Sequence, residues 1–454
     1  MRPMRPVPRW WRDACGVFVW SSMLLVVGLW VAGGGVLGLT QAGAALTSLG
    51  RLSGLVAADL LLVQVLLMAR IPLVEKTYGQ DELARRHRWV GFASFNLMVV
   101  HIVAITLGYA ATSPRGVWGT IVDFVVSYPG MLLAVAGTAA LVAVTITSIR
   151  AARARLRYES WHLLHLYAYL GVGLALPHQL WTGKEFLTST LATVFWWTLW
   201  AAAAASVLLW RVAQPLWRSL RHQLVVEQVI AENDQVTTVV MRGRMLHRLP
   251  VRAGQFFQWR FLDGPGFTRA HPYSLSAAPD GATLRITAAH LGEGSARLAS
   301  LRPGTKVLFE GPYGRLHQGV RTRQKVLLLA SGIGITPMRA LLEELDQRPG
   351  DVTLIYRTRS EQDRILLDEL TTVAKSRQAG LFIVTGHRAT RRSSWLPEQA
   401  AHLGDVEALR QLVPDVADRE VYVCGSPGWM DAAERAVVNA GVPPDRVHSE
   451  RFTY

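Results

Sequence analysis

The 454-residue sequence contains only two cysteines, Cys15 and Cys424, one in each half of the chain. Neither a disulfide framework nor a cysteine-ligated zinc or iron–sulfur site is indicated, since each needs clustered cysteines. Acidic residues are also scarce: 33 Asp and Glu stand against 48 Lys and Arg, a net charge of +15. Much of this excess lies in short segments between apolar runs, which argues against a nucleic-acid partner.

Charged residues are few between positions 14 and 211, where long apolar runs follow one another. A helix that crosses a bilayer needs about 20 such residues. Six runs reach that length, near 14–37, 52–70, 89–110, 126–149, 161–179 and 188–210. The first run has a basic flank like that of a signal peptide, but it is longer than the usual apolar core, so a retained helix is expected. A six-helix membrane bundle over residues 1–216, embedded in a lipid bilayer, is therefore predicted.

Basic residues are distributed unevenly among the segments that connect these runs. Sixteen Lys and Arg lie in residues 1–13, 70–88, 150–157 and 211–221, whereas the alternate connections contain only Arg51, Arg115 and Lys184. Loops rich in Lys and Arg stay on the cytoplasmic side. The sequence therefore predicts a multi-pass protein of the plasma (inner) membrane whose N-terminus and C-terminal half are cytoplasmic.

Four histidines lie in or beside two of the predicted spans. His87 and His101 are 14 residues apart, and His165 and His178 are 13 apart. On helices these spacings give rises of about 21 Å and about 19.5 Å, so each helix carries one histidine at an inner and one at an outer level. Ionisable residues inside a membrane mark function by default. Two haem-iron centres are predicted, one between His87 and His165 and one between His101 and His178. Neutral imidazole on both sides of an iron is a normal haem ligation, whereas zinc prefers a four-ligand cluster, which these spacings do not supply.

Three features of the spans leave alternatives open. His162 competes with His165 as the inner ligand, although its rise of about 24 Å to His178 matches the other helix less well. A 13-residue offset leaves two side chains about 140° apart on a straight helix, so a distortion at Pro177 is expected. Asp59 is expected to pair structurally with a neighbouring helix or, alternatively, to handle protons.

From about residue 217 onward the charge density is that of a soluble α/β protein. Strand-like segments separated by Pro and Gly predict a small antiparallel β-barrel domain over residues 217–320. Within it, His271-Pro272-Tyr273-Ser274 places a phenol and a hydroxyl where they can contact a flavin ring and its ribityl chain. Gly292, Gly294 and Ser295 open a helical stretch whose backbone N–H groups can bind a pyrophosphate. The two motifs together predict an FAD site.

Residues 321–454 are predicted to form an α/β nucleotide-binding domain. A continuous apolar strand at 325–330, typical of a buried parallel sheet, runs into a turn with Gly332, Gly334, Thr336 and Pro337. Such a turn lets the backbone approach a dinucleotide phosphate. Four further residues complete the predicted site: Arg357, Arg359, Cys424 and Gly425. The arginines can accommodate the 2′-phosphate of NADPH, with NADH as the alternative, and Cys424 ends a late strand where a nicotinamide would lie.

With these motifs the chain resembles the ferric reductase and NADPH oxidase superfamily, specifically bacterial ferric reductase-like proteins with a ferredoxin–NADP⁺ reductase-like domain. The resemblance implies two haem b groups on the four histidines, with FAD and NAD(P)H in the C-terminal half. His271 to Ser274 looks like the oxidase flavin motif, Gly292 to Ser295 like the phosphate turn, and Gly332 to Pro337 like the nucleotide motif. It also implies a C-terminal aromatic that shields the flavin, which is Phe452 by alignment or Tyr454.

The activity implied by this resemblance is transmembrane electron transfer. Electrons from cytoplasmic NADPH would pass through FAD and two haems to O2 outside the cytoplasm, producing superoxide. A ferric-chelate reductase of the same architecture is the first alternative, and a haem-binding membrane sensor with an inactive reductase domain is the second. The sequence predicts no particular oligomeric state.

Overall fold

The structure is a computed structural model that describes residues 10–41, 44–153, 155, 158–183, 186, 189–264, 269–389, 393–400 and 402–451. Two compact units make up the chain. The first, here called the helical unit, contains residues 8–78 and 82–212. The second, here called the sheet unit, contains residues 1–7, 79–81 and 213–454. The finer division at residues 216 and 320 stays a prediction.

The helical unit consists of helices joined by short connections. In chain order they are α1 (Trp10–Ala32), α2 (Gly35–Leu39), α3 (Ala45–Met68), α4 (Pro72–Tyr78), α5 (Gln80–Ala110), α6 (Gly116–Ser127), α7 (Met131–Ser148), α8 (Arg150–Arg153), α9 (Tyr158–Thr182) and α10 (Thr190–Ser206). A π-helical segment, Val207–Ala213, follows α10 and leads into α11 (Gln214–His222).

Five helical segments among the described residues are long and apolar enough to cross a membrane: Trp10–Ala32, Ala45–Met68, Glu82–Ala110, Met131–Ser148 and Thr190–His222. The remaining predicted span, 161–179, lies in α9. That helix has 25 residues, but its three histidines make it more polar and it is not among the five. The apolar N-terminal half is thus confirmed as a set of membrane-type helices, and a sixth span stays a prediction.

Small residues allow the helices of this unit to approach one another closely. A Cβ atom added at Gly137 of α7 would lie 2.7 Å from the carbonyl oxygen of Gly171 in α9, so the two backbones nearly touch. At Gly108 of α5 a Cβ would lie 2.4 Å from the hydroxyl of Thr47 in α3. In a bilayer the hydrophobic effect does not bring helices together, because the lipid tails are as apolar as the side chains. Membrane helices therefore associate through close van der Waals contacts of this kind.

The sheet unit begins with an antiparallel sheet of β1 (Leu224–Asn233), β2 (Val236–Arg242), β3 (Phe256–Phe261), β4 (His271–Ser274), β5 (Thr283–Ala289) and β6 (Lys306–Tyr313). The strand order is β4-β3-β6-β1-β2-β5. Neighbouring strands are antiparallel, as predicted. An isolated bridge pairs Leu275, just after β4, with Ile286 of β5. Closure of the sheet into a barrel stays a prediction.

A parallel sheet follows, with β7 (Val326–Ser331), β8 (Val352–Thr358), β9 (Gly380–Thr385), β10 (Glu420–Cys424) and β11 (Val447–Ser449). Its order is β11-β10-β7-β8-β9. A short helix, α12 (Glu293–Ala296), lies between β5 and β6 of the antiparallel sheet, and the helices of the parallel sheet are α13 (Ile335–Glu344), α14 (Leu367–Ser376), α15 (Asp405–Leu412) and α16 (Pro427–Asn439). Because all five strands are parallel, the carboxyl ends of neighbouring β7 and β10 meet at one edge, where such sheets bind ligands.

Ion pairs join the antiparallel sheet to the helices of the parallel sheet. Arg285 of β5 and Arg339 of α13 both pair with Glu369 of α14, at 2.8 Å and 3.1 Å. Arg252 pairs with Glu344 at 3.2 Å. These partly buried contacts hold the flavin motif and the nucleotide motif within one compact unit.

Candidate functional site

Two of the predicted iron ligands face each other across α5 and α9. The ring centroids of His87 and His165 are 5.9 Å apart, and the ring planes are inclined by 68°. Metal–imidazole bonds are about 2 Å long, so a single metal ion fits between two rings at this distance. His162 is exposed, whereas His165 is partly buried and faces His87.

Three of the four histidine rings have an acceptor at their Nδ1 atom. His87 Nδ1 lies 3.3 Å from the carbonyl oxygen of Gln64, and His101 Nδ1 lies 2.7 Å from that of Gly50. His165 Nδ1 lies 3.3 Å from the hydroxyl of Ser148. When Nδ1–H donates in this way, Nε2 is left as the ligand atom and the ring orientation is set. The arrangement fits two-histidine ligation of haem iron.

The outer pair of predicted ligands, His101 and His178, lies on α5 and α9. The Nδ1 atom of His178 is buried. Two glycines make room for this pair. A Cβ at Gly54 would lie 2.4 Å from His101 Nδ1, and one at Gly130 would lie 2.7 Å from the His178 backbone nitrogen. The site therefore depends on α3, whose role the sequence did not reveal.

The other polar features of the helical unit have simpler structural roles. Asp59 is fully buried and accepts a hydrogen bond of 3.1 Å from Ser22 of α1, which agrees with structural pairing between helices. Pro177 lies inside a continuous α9, and the expected distortion stays a prediction. Among the described residues, no group of three or more His, Cys, Asp or Glu is arranged to hold a metal ion.

The two halves of the predicted flavin site meet in the sheet unit. A Cβ at Gly294 would lie 2.2 Å from Cε1 of His271, so the phosphate turn packs against the ring of the flavin motif. The rings of His271 and Tyr273 are stacked at 6.3 Å, with Pro272 between them in β4. Only a glycine at position 294 permits this contact between residues more than twenty positions apart.

The two serine hydroxyls of these motifs, of Ser274 and Ser295, differ in their capacity to form a hydrogen bond with a ligand. Ser274 Oγ is buried and has no hydrogen-bond partner among the described residues, so it can serve a bound flavin. Ser295 Oγ accepts from the backbone N–H groups of Leu291 and Gly292, at 2.9 Å and 3.1 Å. Ser295 thus builds the phosphate turn, and the remaining backbone N–H groups are the candidates for a pyrophosphate.

The nucleotide motif at Gly332 to Pro337 and the Cys424-Gly425 pair meet at the edge formed by β7 and β10. A Cβ at Gly334 would lie 2.2 Å from the Cys424 carbonyl oxygen, and one at Gly425 would lie 2.8 Å from Cβ of Ser331. Thr336 and Pro337 are buried in the first turn of α13. The Thr336 hydroxyl closes this turn by donating to the Ile333 carbonyl at 3.1 Å. Residues about 90 positions apart therefore form one surface at the predicted nucleotide site.

The two arginines after β8 have different environments. Arg357 is buried and points into the protein, where Nη2 donates to the His387 carbonyl at 3.1 Å and Nη1 donates to the Thr358 carbonyl. Burial lowers the pKa of Arg357. Arg359 is exposed. Arg359 is therefore the more accessible of the two candidates for a 2′-phosphate, and the assignment of both arginines to this group stays a prediction.

Two family models match the chain. Residues 53–176 match the ferric reductase-like transmembrane component, and residues 328–435 match the oxidoreductase NAD-binding domain. Ferredoxin–NADP reductase B of Sorangium cellulosum is 30% identical over 200 residues, which cover 41% of this chain and 80% of that protein. The chain is a ferric reductase-like transmembrane protein with a ferredoxin–NADP reductase-like domain. It is therefore an NAD(P)H-dependent oxidoreductase that binds FAD and NAD(P) in its C-terminal half.

Two further proteins are similar to this chain over 51% of its length. The ferredoxin reductase component of 3-ketosteroid-9-alpha-monooxygenase from Mycolicibacterium smegmatis is 31% identical over 241 residues, covering 51% of this chain and 65% of that component. The chain thus spans less than two thirds of that relative. Ferredoxin NADP⁺ reductase from Neisseria gonorrhoeae, solved with bound FAD and NADP, is 21% identical. It aligns with 51% of this chain and 98% of its own, at a TM-score of 0.41.

Two charged residues of the C-terminal half, Arg297 and Glu450, lie beside the predicted sites but were not predicted from the sequence. Arg297 lines a cleft with His271, Gly294 and Arg269, and its Nε donates to Asp263 at 2.6 Å. Glu450 is buried, accepts from the Arg315 backbone N–H and contributes to the electrostatic environment of Cys424. An arginine two positions after Ser295 was a local signal, whereas Glu450 approaches Cys424 only through the tertiary structure. Phe452 and Tyr454 lie outside the described residues.

Cys424 is expected to resist alkylation in the native ferric reductase-like protein. Burial, with a smaller contribution from the charge of Glu450, raises the pKa of its thiol from 9.0 to about 12. The thiolate is the nucleophile, so the reaction with iodoacetamide at pH 8 should be slow. It should accelerate until the pH approaches about 12, instead of levelling off above pH 9. Mass spectrometry of the Cys15→Ser variant, native and unfolded, measures this.

Cys424→Ala in the same background is the control and should show no alkylation at either position. Labelling of the native thiol at pH 8 as fast as in the unfolded chain would contradict the buried, protonated state.

Proposed function

We propose that this ferric reductase-like protein transfers electrons from cytoplasmic NADPH to O2 on the opposite side of the plasma (inner) membrane, producing superoxide. The observation that supports this most is the opposition of His87 and His165, with their Nδ1 atoms directed to Gln64 and Ser148. Bound flavin accepts a hydride and releases electrons singly, and haem iron carries one electron at a time. The chain contributes binding, orientation and exclusion of water.

In this proposal two haem b groups are held at two levels of the helical unit. His87 and His165 bind the inner iron, and His101 and His178 bind the outer iron. The backbone carbonyls of Gly50 and Gln64 orient the two α5 rings. The basic connections predicted on one side support a cytoplasmic position for the sheet unit and for the source of electrons.

In the sheet unit, the proposed roles follow from the geometry of the two motifs. Tyr273 and Ser274 contact the flavin, and the turn at Gly292 to Ser295 receives its pyrophosphate. The turn at Gly332 to Pro337 receives the nucleotide, and Cys424 with Gly425 lines the nicotinamide position. Phe452 or Tyr454 covers the flavin. The antiparallel sheet closes into a barrel over residues 217–320, and residues 321–454 form the nucleotide domain.

The acceptor is tested with purified full-length protein in nanodiscs, given NADPH under air. We expect reduction of cytochrome c that superoxide dismutase suppresses, which identifies superoxide as the product. In the same preparation without air, NADPH should reduce the haem, as followed by the change in its absorbance spectrum. Ferric-chelate reduction that superoxide dismutase leaves unchanged would overturn O2 as the acceptor and establish a metal reductase. Haem that NADPH does not reduce would establish the sensor alternative.

Arg359→Ala is expected to raise the KM for NADPH about tenfold or more and to leave the KM for NADH nearly unchanged. A charge-assisted hydrogen bond to the 2′-phosphate contributes about 1.5–3 kcal/mol, and NADH lacks this group. Steady-state reduction of ferricyanide by the flavin, measured with each nucleotide, gives the two KM values.

Lys306→Ala, another exposed cation of the same unit, is the matched control and should change neither KM value. An equal loss with both nucleotides for Arg359→Ala would contradict the assignment to the 2′-phosphate.

A further inference from the structure

Helix α11 (Gln214–His222) directs its polar residues toward its own unit. The Arg218 guanidinium donates to the Gly311 carbonyl. Ser219 Oγ donates to the Phe309 carbonyl at 3.3 Å and accepts from the Phe309 N–H at 3.1 Å. Both acceptor residues belong to β6. The helix is thus attached to the sheet by hydrogen bonds, whereas a helix on a soluble domain normally buries an apolar stripe.

The apolar residues of α11 lie on the other side. Leu216, Trp217 and Leu220 are 53%, 55% and 63% exposed. At 100° per residue these three side chains fall within one arc of about 100°, and Ser219 lies outside it. A helix with such an exposed apolar face and a polar, basic remainder is typical of segments that lie at a membrane interface.

The covalent path of the chain indicates which surface covers this face. Residues Thr190–His222 form one helical stretch of 33 residues, about 50 Å long at 1.5 Å per residue. The hydrocarbon core of a bilayer is about 30 Å thick, so the stretch extends well beyond it. Leu208 and Val212, in the segment just before α11, are also exposed apolar residues. Exposed apolar side chains therefore continue along this one helical stretch into α11.

Charged and aromatic side chains of α11 match the boundary between acyl chains and headgroups. The Arg221 guanidinium lies 5.0 Å from the centre of the Trp217 ring. In this arrangement the indole sits at the boundary and the guanidinium reaches headgroup phosphates while its stem covers apolar surface. A face that binds a soluble protein partner could lie anywhere on the water-exposed surface. The position of this apolar face directly after a predicted membrane span therefore favours lipid as its occupant.

We propose that α11 is an interfacial lipid-binding helix, with Leu216, Trp217 and Leu220 inserted at the headgroup–acyl boundary of the leaflet where the last span ends. The same helix is hydrogen-bonded to β6, β6 pairs with β3, and β3 pairs with β4, which carries His271 to Ser274. A continuous series of hydrogen bonds therefore connects the proposed lipid-binding helix to β4, the strand of the flavin motif. This role is independent of the terminal electron acceptor.

The test uses the full chain in nanodiscs of equal parts phosphatidylcholine and phosphatidylglycerol. A nitroxide is attached at Leu220→Cys in the Cys15→Ser background, in which Cys424 is buried. Electron paramagnetic resonance then compares collisions with O2, which concentrates in lipid, against collisions with a water-soluble nickel chelate. Val438→Cys, an exposed aliphatic position on α16, is the matched control. Flavin absorbance verifies that each variant is folded.

We expect the label at position 220 to have a severalfold higher ratio of O2 to nickel collisions than the label at position 438. Nickel collisions at position 220 as frequent as at position 438 would overturn the proposal, because the face would then be in water. Protection from both reagents would also overturn it, since protein, such as a second copy, would then cover the face. Should Leu220→Cys not fold, Leu216→Cys provides the same measurement.

Discussion

Replacement of His165 by leucine is expected to remove one of two b-type haems and to abolish NADPH-driven reduction of an external acceptor. The His165 ring faces that of His87 at 5.9 Å, and leucine offers no ligand atom to the iron. Reduction of the flavin by NADPH should remain, because the flavin site lies in the sheet unit. Haem content per flavin, from the pyridine haemochrome spectrum, and ferricyanide reduction by the flavin measure the two effects.

His162→Leu is the matched control, because it makes the same substitution on the same helix at an exposed histidine. It should retain both haems and full transfer to the acceptor. If His162→Leu removes a haem and His165→Leu does not, the inner ligand has been assigned to the wrong residue. If neither changes the haem spectrum, α9 does not supply the inner ligand.

Replacement of Gly54 by alanine is expected to weaken binding of the outer haem by about 10- to 100-fold, the usual effect of disturbing a residue that orients a metal ligand. The added Cβ would lie 2.4 Å from His101 Nδ1, so the ring must move away from the Gly50 carbonyl that it contacts at 2.7 Å. Titration of haem into the haem-depleted protein, followed by absorbance, should show one site weakened and one unchanged.

Gly173→Ala provides the control for Gly54→Ala. Gly173 lies in α9 between the two ligand histidines, and a Cβ there would meet no atom within 4 Å. This variant should bind both haems like the parent protein. Equal weakening by the two substitutions would indicate a general effect on helix packing and would contradict a specific role of Gly54 in orienting His101.

The periodic and local features of this protein were predictable from its sequence. The long apolar runs indicated membrane helices, the β-branched segments between Pro and Gly indicated an antiparallel sheet, and the continuous apolar strand at 325–330 indicated a parallel sheet. The phosphate and nucleotide turns were recognisable because their glycines and hydroxyls act through the backbone of the same few residues. The spacing of His87, His101, His165 and His178 was readable because helical rise is constant.

Only the tertiary structure decided which atoms support these residues. The carbonyls of Gly50 and Gln64 orient histidines 51 and 23 positions away, and a backbone carbonyl has no sequence signature. Arg357 and Arg359 look alike in the chain, yet burial of one and exposure of the other depend on the path of β8 and its neighbours. Sequence by itself determined the chemical groups and their spacing along each element. Contacts between elements depend on how helices and strands pack, and this packing selected which of those groups meet.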